Sequence, residues 1–165
     1  MTRTDAVAPA LATLFSELIN GAARGGAYVL NGGDAGLLNM LDALPAEAGS
    51  RSSAGGATVA AHVAHLTYGI ALINAWAEQG GNPFASADWS EAWRVGSVSD
   101  AEWTELRRGL RAEAEQWLRQ LEQGREVGAI ELNGMIGSIV HLAYHLGALR
   151  QIEPGLRGPK DSASP

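Results

Sequence analysis

A chain of 165 residues with 46% apolar residues is long enough for one globular domain with a buried core. With 12 Lys+Arg against 18 Asp+Glu it carries a formal net charge of −6, which offers no general attraction to nucleic acid or anionic lipid. It contains no cysteine, which excludes disulfides, thiolate metal sites and a cysteine nucleophile.

The pattern along the chain is helical. Val7, Leu11, Leu14, Phe15 and Leu18 follow the three-and-four rhythm of an amphipathic helix, with Thr4 placed to cap it and Gly21, then Arg24-Gly25-Gly26, to end it. Ala27–Leu30 reads as a possible short extended piece. Asn31-Gly32-Gly33-Asp34 is a turn, and Asp34 is expected to cap a short helix carrying Leu37, Leu38, Leu41 and Leu44. Pro45 and the small residues from Ala48 to Gly56 break it; without a following Lys-Ser/Thr these glycines are turns, not a phosphate loop. Thr58 opens a second long helix through Gln79, its buried side marked by Val59, His62, Val63, Leu66, Ile70, Ile73 and Trp76. Gly80-Gly81-Asn82-Pro83 stops it.

A connector from Phe84 to Val98 holds Trp89 and Trp93, which are expected to lie over the helices as packing, lining or covering a pocket being the alternative. Ser99-Asp-Ala-Glu102 is a capping box, followed by Trp103, Leu106, Leu110, Ala114, Trp117 and Leu121 at helical spacing. Arg125–Leu132 reads as a loop or short extended piece, and Asn133 as the cap of a last helix running to Ile152. Gly134, Gly137 and Gly147 cost that helix propensity and predict close approach of a neighbour. Four long amphipathic helices predict an all-α fold, a four-helix bundle with long connections over residues 1–153, and a mobile tail over 154–165. No apolar run approaches membrane-spanning length and no signal peptide is visible, so a cytoplasmic protein is expected.

All four histidines fall in two short clusters inside apolar helical stretches. His141 and His145 are four apart, so both imidazoles leave one helix face a turn apart. His62 and His65 are three apart, and on spacing either can point inward. Two imidazoles from one helix and one from another form a three-histidine metal site with a position open for water or substrate. The competing reading is a set of packed core histidines satisfied by water or a carboxylate.

Thr58-Val-Ala-Ala-His62-Val-Ala-His65-Leu66, followed by His141-Leu-Ala-Tyr-His145-Leu-Gly-Ala-Leu-Arg150, resembles the two motifs of the DinB/YfiT-like superfamily. Those motifs read Trp-Ser-Ile, then a His-Leu pair, and later His-x-x-x-His-x-Gly-Gln-x-Arg. Ala57 and Ala148 stand where the family often has tryptophan and glutamine. The resemblance implies His65, His141 and His145 as metal ligands, His62 as a neighbour, and a divalent ion such as zinc, nickel or iron. It further implies a homodimer and a metal-dependent transferase or hydrolase, some relatives using a low-molecular-weight thiol such as mycothiol or bacillithiol. A non-enzymatic, metal-stabilised bundle is the alternative. Tyr68, near His65 on the same helix, is a candidate neighbour of the site.

Overall fold

Residues 1–22 and 26–160 are described in a computed structural model; Arg24, Gly25 and residues 161–165 lie outside them. Along the chain come β1 (Thr2–Arg3), α1 (Ala8–Asn20), α2 (Gly36–Asp42), α3 (Ala46–Gly49), α4 (Val59–Gln79), α5 (Asp100–Glu122), β2 (Glu126–Val127) and α6 (Ala129–Ile152). Short 3-10 turns occupy Pro83–Ser86, Ala92–Arg94 and Pro154–Leu156. The fold is mostly helical with almost no strand, as the periodicity predicts. The long helices touch in a closed circuit, α1 to α5, α5 to α4, α4 to α6 and α6 back to α1. None of the described helices is long and apolar enough to cross a membrane.

Phe15, Leu18, Leu66, Ile73, Leu110, Trp117, Met135 and Leu149 fill the space enclosed by that circuit. Two buried indoles have their polar atoms answered: Trp103 Nε1 donates to the Leu44 carbonyl at 2.8 Å, and Trp117 Nε1 to Ser138 Oγ at 2.9 Å.

Helix starts encoded by local chemistry form as predicted. Thr58 Oγ1 accepts from the Ala61 N–H at 3.0 Å, and Ser99 and Glu102 close a reciprocal capping box. α2 starts differently: its N-cap is Ala35, without a side-chain cap, while Asp34 Oδ1 accepts from the Gly36 N–H at 2.9 Å and its second oxygen pairs with Arg150 at 2.7 Å. Leu44 lies beyond the end of α2, and Pro45 leads directly into the single turn of α3.

Four expectations are corrected. Thr4 does not cap α1 through its side chain; its buried hydroxyl donates to the Arg125 carbonyl and accepts from the Arg125 N–H, both at 3.0 Å. Asn133 does not start α6. The antiparallel pairing of β1 with β2 ends at Val127, and the helix begins with Gly128 as N-cap. Ala27–Leu30 is not a strand: the N–H groups of Tyr28, Val29 and Leu30 turn onto the buried Glu17 carboxylate at 2.9, 2.8 and 2.6 Å. Burial pushes that carboxyl up, but the three backbone donors outweigh it and hold its pKa below the usual value. The residues after Ile152 are docked rather than mobile as far as 160. Leu156 is fully buried, its carbonyl accepts from Arg150 Nε at 3.0 Å, and the Pro159 carbonyl accepts from Asn31 at 2.8 Å. An apolar side chain and an arginine that needs acceptors hold a segment that composition alone marks as a tail.

Where α1 ends and α2 begins, two glycine backbones touch. Gly21 (φ 101°) and Gly36 (φ 76°) both lie in the region that L side chains rarely adopt. A Cβ on Gly36 would sit 2.2 Å from the Gly21 nitrogen.

Candidate metal centre

α4 and α6 run side by side, and each turns its histidine pair toward the other. His62, His65 and His145 are buried at 9%, 7% and 3% exposure, and His141 is half-buried. His65 Nε2 lies 3.0 Å from His141 Nε2, and His141 Nε2 lies 2.9 Å from His145 Nε2. One nitrogen from each of His65, His141 and His145 falls within 4.8 Å of the other two. These are the three residues that the resemblance implies as ligands. His62 stands behind them, its Nδ1 2.9 Å from His145 Nδ1.

Hydrogen bonding alone does not satisfy this cluster. A nitrogen of neutral imidazole carries either one proton or one lone pair. His141 Nε2 sits in two short contacts at once. As a donor it serves only one of its neighbours; as an acceptor it has one lone pair for two donors. Protonation does not rescue the arrangement cheaply. Burial, together with repulsion from His141 and His62, lowers the His65 pKa to about 4. Burial, with repulsion from His141, His62 and His65, lowers that of His145 to about 3. Burial lowers His62 and His141 as well. The imidazoles are therefore neutral near pH 7, the state in which they donate lone pairs to a cation. The donor set fits a divalent ion that takes all three lone pairs.

The same shifts set an expected pH response of the metal-free protein. The unfolded chain binds protons near the ordinary imidazole pKa of 6.5, whereas folded His65 and His145 resist to about 4 and about 3. Between those values the unfolded state holds more protons, so stability falls as pH falls. Each shifted group adds up to ~1.4 kcal/mol per pH unit to that slope. Denaturant midpoints of the apo protein from pH 7 to 4.5 measure it; a flat profile would contradict the buried neutral imidazoles.

The two connector tryptophans cover this cluster rather than the hydrophobic core, which corrects the packing expectation. Trp93 stacks on His65 at 4.3 Å between ring centroids and meets His62 edge-on at 5.2 Å. Trp89 lies 5.1 Å from His65 and 6.4 Å from His141. His65 Nδ1 is buried without a hydrogen-bond partner, so this ring is oriented by stacking. Tyr68 engages the connector. Its hydroxyl accepts from the Asp88 N–H at 3.2 Å and its ring meets Trp89 edge-on, holding the connector in place. At the connector's far end Thr58 Oγ1 donates to the Val95 carbonyl at 2.9 Å. The spacing of Trp89 and Trp93 predicts a shared side but not which surface it meets.

Beside the cluster opens a cavity of about 480 Å³, with His141 in its wall. Gly69, Gly134 and Gly137 line it. Of the three helix glycines expected to allow a close approach, Gly134 does so: a Cβ there would be 3.2 Å from Ile73 and 3.4 Å from Trp76. Gly137 and Gly147 face open space.

No protein-family model, no curated protein and no solved structure matches this chain.

Proposed function

We propose that the protein is a divalent-metal-binding four-helix bundle of the DinB/YfiT-like type and a metal-dependent enzyme, a small-thiol-dependent transferase or a hydrolase. The observation that carries the metal is the double contact of His141 Nε2 with His65 and His145, which neutral imidazoles cannot satisfy among themselves. Three protein ligands leave a coordination position open, as catalytic sites do. A divalent ion held there supplies Lewis acidity, lowering the pKa of a water or thiol.

The chain's own residues supply the rest. With the Nε2 lone pairs of the three ligands directed at one ion, the ring proton of His145 rests on Nδ1 and is donated to His62 Nδ1. His62 thereby fixes the tautomer and orientation of His145. Trp93 and Trp89 keep bulk water off His65. The cavity against His141 gives a substrate a place beside the ligands, which favours the enzyme over a purely structural metal site. Zinc and nickel analysis of the purified protein, followed by a panel of hydrolysis and thiol-transfer assays, tests the reading. Absence of stoichiometric metal, with no rise in melting temperature on adding either ion, would overturn the metal. Stoichiometric metal without turnover across the panel would overturn the enzyme.

A second copy of the chain is the proposed partner. The outward face of α6 exposes Ile136, Val140 and Tyr144 at four-residue spacing, with Val140 at 62% and Tyr144 at 70% exposure. Sedimentation should give a dimer for the native chain and a monomer for Val140→Arg; identical behaviour would place the interface elsewhere.

A further inference from the structure

The cavity beside the histidine cluster carries chemistry of its own. Trp76, Phe84 and Trp89 form a continuous aromatic wall, with Phe84 stacked on Trp89 at 6.0 Å and 23° and tilted against Trp76 at 5.9 Å. Leu66, Ile70 and Ile73 extend the apolar surface from α4. Among the described residues no Asp, Glu, Lys or Arg lines the space. Its polar side chains are Asn82, Asn133, Ser138 and His141. Ser138 Oγ already accepts from Trp117 and donates to the Met135 carbonyl, and Asn82 Oδ1 already accepts from the Phe84 N–H.

We infer that this cavity binds a neutral, largely aromatic organic molecule of one to three rings and, in the metal-free protein, takes it in preference to an anionic analogue. The size suits a small-molecule site. Flat rings gain from stacking on Trp76, Phe84 and Trp89. In the metal-free protein a carboxylate entering would lose its hydration with no lining cation to receive it. The inference deepens the reading of the neighbouring histidines as a metal centre, from which it takes the role of substrate site. It gives the organic substrate an aromatic body, presented to the histidine cluster past His141.

Two fluorescent probes with one skeleton test it: N-phenyl-1-naphthylamine, which is neutral, and 1-anilinonaphthalene-8-sulfonate, which adds an anion. The neutral probe is expected to bind the full-length protein, stripped of metal, one-to-one with blue-shifted emission, and the sulfonate at least about tenfold more weakly. Gly137→Leu places a side chain at the cavity where a Cβ meets nothing within 4 Å. It should weaken the neutral probe at least about tenfold. Gly147→Leu, equally open but outside the cavity lining, should leave the probe's affinity unchanged. Equal affinity for the two probes, or equal effects of the two leucines, would overturn the proposal. Zinc stoichiometry on titrating the same preparations separates the two readings. Zinc bound without probe discrimination removes the cavity ligand and keeps the metal centre; discrimination without zinc does the reverse.

Discussion

Replacing His145 with alanine is expected to cost more than about a hundredfold in zinc affinity, because loss of an outer-shell partner alone costs about 10–100-fold. His145 is the hinge of the cluster: Nε2 lies 2.9 Å from His141 and Nδ1 lies 2.9 Å from His62. His65→Ala should behave in the same way, since both rings offer a nitrogen to the same point. His62→Ala should fall inside the outer-shell range, because its nitrogen faces His145 and not the ion. Calorimetric titration of the apo proteins with zinc gives the order, and circular dichroism should show helix content nearly intact in every variant. Native-like affinity in His145→Ala would remove it from the ligand set. A larger loss in His62→Ala than in His65→Ala would make His62 the ligand from α4.

Gly36→Ala should destabilise the protein by roughly 3 kcal/mol or more, adding backbone strain to overpacking. The new Cβ meets backbone atoms only: the Gly21 nitrogen at 2.2 Å, the Asn20 carbonyl carbon at 2.6 Å and the Ile19 oxygen at 2.8 Å. Backbone cannot rotate away as a side chain can, so the α1–α2 junction must open. Gly33→Ala is the matched control. It has a similar φ of 85° but nothing within 4 Å, so it should lose only about 1–2 kcal/mol from conformation. Denaturant unfolding of the two variants measures the difference; equal losses would show that the close approach carries no cost.

The parts legible in the sequence are those whose causes are local. Thr58 and Ser99 find their backbone donors three residues on, so α4 and α5 start where their caps stand. The four-residue spacing of His141 and His145 translates directly into one helix face. Distant partners were not legible. Thr4 spends its hydroxyl on Arg125, 121 residues away, and Glu17 is capped by a loop 11 to 13 residues on. The approach of α4 to α6 decides that His65 meets His141 and His62 meets His145; a three-residue spacing leaves both rings nearly aligned. Trp89 and Trp93 sit on two short turns whose direction is set by Tyr68 and Thr58, and no periodicity encodes that. The charge-free wall of the cavity is likewise assembled from α4, the connector and α6 together.

The tryptophan connector is tied to α4 at both ends, through Tyr68 to Asp88 and through Thr58 to Val95. His65 rides on that same helix, so the roof and this candidate ligand share one support, whereas His141 and His145 belong to α6. If the three hold an ion, its site would be framed across the seam between α4 and α6, and the spacing of those two helices would set the gap from His65 to the His141–His145 pair.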